Sequence, residues 1–289
     1  MNKKNSIALL GPEHTFSDLA ATKYGEFCHS RPDRESLKKY YTKTIEEVFD
    51  LVEQGKVACG IVPVENKLDG SIRETLDNLF TKKVHFTSSI SLPIHHCLAV
   101  LPFAKSSDIA KIISHEQALN QCGKYLKKHH PNIRKEAYSS TTSAIEKLIF
   151  SNDKTLAVIS SKQAAQAHGL KIIAENIEDD SSNSTNFIVV KKGDYPAKNS
   201  VQKNSTTSVK TSIAFHFDKD SPGSLFTVLE DFAKARINLT KIESRPTKKE
   251  FGDYIFYIDF EGSPQDEKVA STLKAIANKV SKLKILGIY

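Results

Sequence analysis

The sequence of 289 residues has few cysteines, and Cys28, Cys59, Cys97 and Cys122 stand far apart with no CxxC pair. That spacing excludes a disulfide framework or a cysteine-rich zinc site, and reduced thiols fit best. No hydrophobic run approaches the length of a membrane span. The apolar stretch Ile7 to Leu10, after the basic start MNKK, is too short for a signal-peptide core. A cytoplasmic chain with no membrane association is expected. Also absent are a GxGxxG after a strand, a Walker A loop, a GxSxG nucleophile elbow and an HExxH pair. Dinucleotide, nucleotide and metallohydrolase chemistry lose support with them, so no cofactor and no metal are expected.

What is present describes a globular chain. Hydrophobic residues make up 39% and charged residues 26%, enough apolar content to bury a core. The length exceeds the usual ~100 to 200 residues per domain, which predicts two folding units. The net charge of +7 and a pI of about 9.0 fit either nucleic acid or a small anionic ligand. The lysines are scattered or gathered in KKGDYPAKNSVQKNSTTSVK, and the basic segments lack interleaved aromatics, which argues against nucleic acid. This stretch, Lys191 to Lys210, carries no periodic apolar residues and reads as a flexible connector. It divides the chain near Ser200 into a unit over 1–195, a linker over 196–210 and a unit over 211–289.

The second unit reads almost completely. Ser212 to Phe217 is strand-like, and Ser221-Pro222 offers an N-cap followed by proline at the first helical position. Leu225, Val228, Leu229 and Phe232 then recur at helical spacing. Strand-like runs at Leu239 to Ser244 and Tyr254 to Phe260 follow around a polar turn with Gly252, then a helix over 266–280 and a last strand over 284–289. The order βαββαβ is that of a ferredoxin-like sandwich, a fold that hosts many functions.

The first unit repeats one pattern, an apolar strand ending in small or polar residues with a helix behind it. SIALL leads into GPEHTFSDLAA, VACGIV into PVENKLDGSIRETLDNL, KII into SHEQALNQCGKYL, AYSS into TTSAIEKLI and LAVIS into SKQAAQAHGL. Such alternation predicts open, mostly parallel α/β sheets, whose ligands bind at the carboxyl ends of the strands. The residues expected there are Thr15, Ser17, Glu65, Asn66, Ser114, Gln121, Ser140, Thr141 and Ser160, nearly all neutral donors. Helix N-termini add backbone donors, and the surface suits an anion. SSNSTNFIVV, from Ser181 to Val190, reads either as one more strand end facing this cleft or as a polar turn. His95-His96-Cys97 is expected in a partly buried strand, where neighbours point to opposite faces and do not converge on a metal. His14 and His115 each stand beside a helix start, as acid-base groups or as capping-region histidines. With no strong base in view, the chemistry must be intrinsically favourable and need mainly positioning and a proton.

These motifs resemble, over essentially the whole chain, the prephenate dehydratases that carry a C-terminal ACT regulatory domain. GPEHTFSDLAA resembles the family's GPxGTFS start, with Glu13-His14 in place of a residue and glycine. GIVPVENKLDGSIRETLDNL resembles its PIENSxxG segment, SHEQALNQC its SHPQALxQC, and SSTTSA its STAEA run. The stretch ending at Phe187 resembles the one that closes on TRF. Glu243-Ser244-Arg245-Pro246 is the full ESRP motif, and PGSLFTVL stands in the place of GALV.

The resemblance implies a catalytic unit of two α/β lobes around a cleft, like type II periplasmic binding proteins, followed by the ferredoxin-like ACT domain. It implies decarboxylating dehydration of prephenate to phenylpyruvate in L-phenylalanine biosynthesis, with Thr185 as hydroxyl donor to the leaving oxygen. Asn66, Ser114 and Gln121 are implied in the active site, and Thr15, Glu65, Ser140, Thr141 and Asn186 as further substrate contacts. Phenylalanine is implied as an effector bound through Gly223, Ser224, Leu225 and the ESRP residues, usually across paired ACT domains, so a homodimer or homotetramer is expected. Asn186 replaces the arginine of TRF and removes a guanidinium expected on a substrate carboxylate. Its loss predicts either compensation by another cation, such as Arg73 or Lys162, or a preference for the less anionic arogenate. A non-catalytic amino-acid or anion sensor is the alternative from a different class.

Overall fold

The computed structural model describes residues 5–29, 37–196, 209–218, 221–247 and 252–289. The first lobe contains β1 (Ser6–Leu10), α1 (Phe16–His29), β2 (Lys38–Thr42), α2 (Ile45–Glu53), β3 (Cys59–Asn66), the short β4 (Gly70–Ser71), α3 (Arg73–Thr81) and β5 (Val84–Pro93). The second contains β6 (Cys97–Val100), β7 (Lys111–His115), α4 (Glu116–Gln121), α5 (Gly123–His129), β8 (Arg134–Tyr138), α6 (Thr141–Ser151), β9 (Leu156–Ser160), α7 (Lys162–Ala167) and β10 (Lys171–Glu175). The chain then returns to the first lobe as β11 (Ser184–Lys192).

The first sheet runs β2-β1-β3-β11-β5, with β1 parallel to β2 and β3, and β11 antiparallel to both of its neighbours. The second runs β10-β6-β9-β7-β8. The two crossings between lobes, 94–96 and 176–183, are tied to each other, Ile94 N donating to Asn183 O at 2.9 Å and Ile177 N to His96 O at 3.1 Å. Two lobes joined by paired crossings, with the chain returning through a central antiparallel strand, match the two-lobed architecture expected.

Local chemistry explains the elements. In α2 the buried Ile45, Val48, Phe49 and Val52 fall at helical spacing, and Thr44 Oγ1 caps the first turn by accepting from Glu47 N at 3.1 Å. In α6 a capping box joins Ser140 and Ser143. His14 occupies the position of the family glycine and adopts a φ of 65°, the left-handed region that explains glycine there. Cys59, Cys97 and Cys122 are buried; the Cys28 side chain lies outside the described residues, as does most of the expected linker, 197–208. No described helix is long and apolar enough to cross a membrane.

The last unit is β12 (Lys210–His216), α8 (Ser224–Lys234), β13 (Leu239–Pro246), β14 (Tyr254–Glu261), α9 (Glu267–Ala277) and β15 (Lys282–Ile288), the βαββαβ order expected. Its first helix begins later than the sequence suggests. Gly223, at φ 93°, precedes α8, because Ser221 and Pro222 are spent in a turn closed by Ser224 N to Ser221 O.

One face of this sheet, with Ile213, Phe215, Phe256, Ile258 and Phe260, packs beneath α8 and α9. The alternate residues Ala214, Ile255 and Tyr257, with Leu286, join the core of the first lobe against Leu76, Leu79, Val84 and Phe86. Helix α3 is the docking element. Arg245 Nε and Nη2 grip the Asp77 carboxylate at 3.0 and 3.1 Å, and Tyr257 donates to Leu76 O at 3.1 Å. Lys282 and Lys284 donate to the carbonyls of Phe80 and Leu79 near the helix C-terminus, where cations suit the helix dipole. Burial pushes the Lys284 ammonium down to about 8.

The two sheets meet at Gly287, paired with Phe86. A Cβ on Gly287 would lie 2.3 Å from Phe86 O and 2.6 Å from its ring. Gly287→Ala is therefore expected to cost ~1 to 3 kcal/mol by overpacking, read as a lowered midpoint in denaturant unfolding. An unchanged midpoint would show that this junction yields without strain.

Candidate active site

β3 and β11 build the floor of the interlobe cleft, and an irregularity in their pairing decides what faces it. Thr185 pairs with Asn66 and Asn186 with Glu65, but Phe187 pairs with Pro63, so one extra residue lies in β3. Proline has no N–H for the ladder, and bulges gather where such a bond is missing. The bulge places Pro63 and Asn66 on one face, lining the cleft with Thr185 and Phe187. Val64 and Glu65 fall on the other face with Asn186.

The cleft cavity measures about 280 Å³. On its floor Asn66 Nδ2 donates to Thr185 Oγ1 at 2.9 Å. The Asn66 carbonyl oxygen takes Leu68 N at 3.0 Å and Asp69 N at 3.1 Å, closing the turn to β4. Thr185 thus has an oxygen lone pair engaged and its own proton free to donate.

Two helix starts face the cavity from opposite lobes. Thr15, Phe16 and Ser17 bring the N-terminus of α1, and Ser139, Ser140 and Thr141 bring that of α6. Ser140 also caps its helix, accepting from Ser143 N at 2.9 Å. Among the described residues that line the cavity there is no Lys, Arg, Asp or Glu. The backbone N–H groups that a helix start leaves without intrahelical partners, and its positive end, suit an anion.

A network closes the cleft between lobes. Gln121 Oε1 accepts from His96 Nε2 at 3.1 Å and from Asn183 Nδ2 at 3.3 Å, while its Nε2 donates to Asp69 at 3.2 Å. Gln117 also donates to Asp69, and its backbone N–H reaches His115 Nδ1 at 3.3 Å. Burial holds the His96 imidazole below its usual pKa, against the opposing Gln121 bond and Glu178 charge, so it stands neutral.

Thr15, Asn66, Gln121, Ser140, Thr141 and Thr185 thus gather around one cavity, together with Ser17 and His115. Four of the expected residues do not. Ser114 is fully buried, spends its hydroxyl on Ile159 O at 2.6 Å and lies outside the cavity lining. Its parity in β7 turns it into the sheet rather than out of its end. Ser160 is likewise fully buried, donating to Ser161 O at 3.2 Å. Glu65 and Asn186 face a second cavity of about 50 Å³ beside Lys241, Asp259 and Tyr289. Nor, among the described residues lining the cavity, does a lysine or arginine replace the missing guanidinium. Arg73 lines a groove beside β13, and Lys162 pairs with Glu175 at 2.9 Å.

Sequence reasoning missed His96, expected in a strand but lying in the crossing before β6. It also passed over Gln117, although the i,i+4 spacing to Gln121 places both on one helix face, and Asp69, which as a turn residue gave no signal. Of the ESRP residues, Glu243 and Arg245 face the catalytic lobe, bonded to Ser71 and Asp77. Ser244, paired with Phe256, lies on the helix side of the sheet with Gly223, Ser224 and Leu225 at the start of α8.

Residues 7–195 match the model of the family described as prephenate dehydratase, and residues 219–278 that of the ACT domain. A prephenate dehydratase of Methanocaldococcus jannaschii is 38% identical over 100% of this chain and 98% of its own length. Arogenate dehydratase 1 of Petunia hybrida is 34% identical over 98% of this chain and 66% of its own. Among solved structures, the Arthrobacter aurescens prephenate dehydratase in complex with L-Phe superposes with a TM-score of 0.85 at 29% identity, covering 98% of this chain and 89% of its own. With its bulged floor, its two facing helix starts and these full-length relatives, the chain belongs to the prephenate dehydratase family with a C-terminal ACT domain.

Proposed function

We propose that the cleft converts prephenate to phenylpyruvate, water and carbon dioxide. The observation that carries this reading is the Asn66 N–H on Thr185 Oγ1, which engages a lone pair of that oxygen and leaves the hydroxyl as a donor on the cleft floor. The ring carboxylate leaves as carbon dioxide, its bonding pair enters the ring, and the ring C–O bond breaks as Thr185 protonates the departing hydroxyl. The donor regains its proton from solvent. Aromatisation supplies the driving force, so a weak acid in a fixed place suffices, and general acid catalysis of this kind contributes ~10² to 10⁴ in rate.

Prephenate has two carboxylates, and the starts of α1 and α6 offer one anion site on each lobe. Binding both at once would draw the lobes together. Arogenate adds an ammonium, for which the cavity lining has no carboxylate among the described residues. The keto acid is therefore the substrate we favour. Phenylalanine acts as the effector at the ESRP side of the ACT domain, with Ser244 and the start of α8 as its contacts. β13 is the outermost strand of its sheet and exposes Ile242. An assembly of two or four copies through that edge accompanies the effector site.

Three outcomes are expected. Thr185→Ala keeps its fold and loses at least ~10²-fold in kcat, measured as phenylpyruvate formed from prephenate; near-normal turnover would overturn the assignment. Asn186→Arg leaves the ratio of kcat/KM for prephenate over arogenate within about twofold of wild type, because residue 186 faces away from the substrate; a tenfold shift, the size a charged hydrogen bond gives, would refute that orientation. The third concerns acid. A histidine held below its unfolded pKa of about 6.5 is protonated first in the unfolded chain, so stability falls as pH drops through that value. Thermal unfolding at pH 7.5 and 5.5 should show a smaller acid loss in His96→Gln than in wild type.

A further inference from the structure

Residues 66–71 join three parts of the molecule. In this hairpin Asn66 pairs with Gly70 and Glu65 with Ser71. Its first strand holds Thr185 through Asn66, and its tip, Asp69, is held by Gln117 and Gln121 from the opposite lobe. Its base is held by the ACT domain. Lys241 Nζ donates to Ser71 Oγ at 2.7 Å and to Glu65 Oε1 at 3.2 Å, and Ser71 donates in turn to Glu243 Oε2 at 2.5 Å.

Building on the dehydratase reading, we propose that this hairpin transmits the state of the ACT domain to the cleft, with Lys241 as the positioning residue that sets it. The carboxamide of Asn66 makes the coupling direct. Its oxygen closes the hairpin turn on Leu68 N and Asp69 N, while its nitrogen orients the Thr185 hydroxyl. A shift of the turn therefore rotates the group that aims the proton. The same shift moves Asp69 against Gln117 and Gln121 and changes how the lobes close. Lys241, Glu243 and Arg245 occupy one face of β13, and Ser244 lies between the last two on the other. A ligand that displaces β13 from the Ser244 side is felt at Ser71 within one residue of strand.

The test is Lys241→Met in the full chain, which keeps the aliphatic stem and removes the ammonium. Hydrogen exchange followed by mass spectrometry should show segments 66–72 and 115–121 exchanging at least ~5-fold faster than in wild type, a loss of protection expected when a local unit loosens. Ser71→Ala should give the same pattern. Lys279→Met serves as control, since among the described residues Lys279 bonds Thr227 O and Asp231 within the ACT domain, and should leave both segments unchanged. Lys241→Met should also bind phenylalanine within about threefold of wild type while the effector alters kcat/KM by less than about twofold, against the 5- to 150-fold typical of coupled sites. Lys241→Arg should restore the response. Unchanged exchange in both segments, or a full phenylalanine response in Lys241→Met, would overturn the proposal. A wild-type chain that forms no phenylpyruvate would instead refute the dehydratase reading, and the exchange data would still decide the role of the hairpin.

Discussion

The bulge in β3 opposite β11 is the constraint on which the site rests. Pro63 and Asn66 are three positions apart, and in a regular strand they would point to opposite faces. The extra residue brings both to the cleft and sends Val64 and Glu65 together to the seam with the ACT domain. Without it, either Asn66 would turn from Thr185 or Phe187 would lose its place against Pro63. A slip of one residue inverts every side chain of a strand, and β11 is fixed against slipping by pairing along both of its edges.

The cleft handles charge by backbone rather than by side chains. A family arginine on residue 186 suggested a guanidinium on substrate, yet residue 186 lies on the seam face of β11. A helix N-terminus contributes ~0.3 to 1 kcal/mol at the surface and up to ~2 kcal/mol when partly buried. Two such termini on facing lobes rival one charge-assisted contact, and they cost no side-chain ordering when substrate arrives. They also tie recognition to closure, since neither lobe alone presents both. His96 and Gln121 tie the crossing to the second lobe, and the amides of Gln117 and Gln121 hold the Asp69 carboxylate from the other side of the cleft.

Much of this was readable in the residues, and the failures share one cause. The apolar spacing of Leu225, Val228, Leu229 and Phe232 announced α8, and the strand-like runs beyond it announced β13 and β14. Polar residues at strand ends pointed to Thr15, Asn66 and Ser140, and the resemblance to the family pointed to Thr185. Glu65 and Asn186 were misplaced because parity within a strand depends on its register, and a polar segment carries no apolar pattern from which to read register; Ser114 was misplaced because consecutive residues of β7 are buried, which leaves no alternation to read. Pro63 was the available clue, since proline inside a strand marks an edge or a bulge. Nothing local distinguishes His96 in a crossing from a histidine in the strand that starts at the next residue. The cap of α8 was misread for a related reason, since Ser221-Pro222 satisfies the rules for a helix start and for a turn equally well.

The seam itself limits how the ACT domain can act. A ferredoxin-like sheet covered by helices on one side leaves its other face in need of cover. Here Ala214, Ile255, Tyr257 and Leu286 find it in the first lobe. Detaching the domain would expose that apolar face and strand the Arg245 guanidinium, Asp77 and the two lysines at the end of α3, so separation is costly. Motion is cheaper at β13, where exposed residues alternate with anchored ones and the outer edge has no partner strand among the described residues. A small displacement of one strand edge, rather than release of a domain, is the movement this packing permits, and that edge is where the chain carries its ESRP motif.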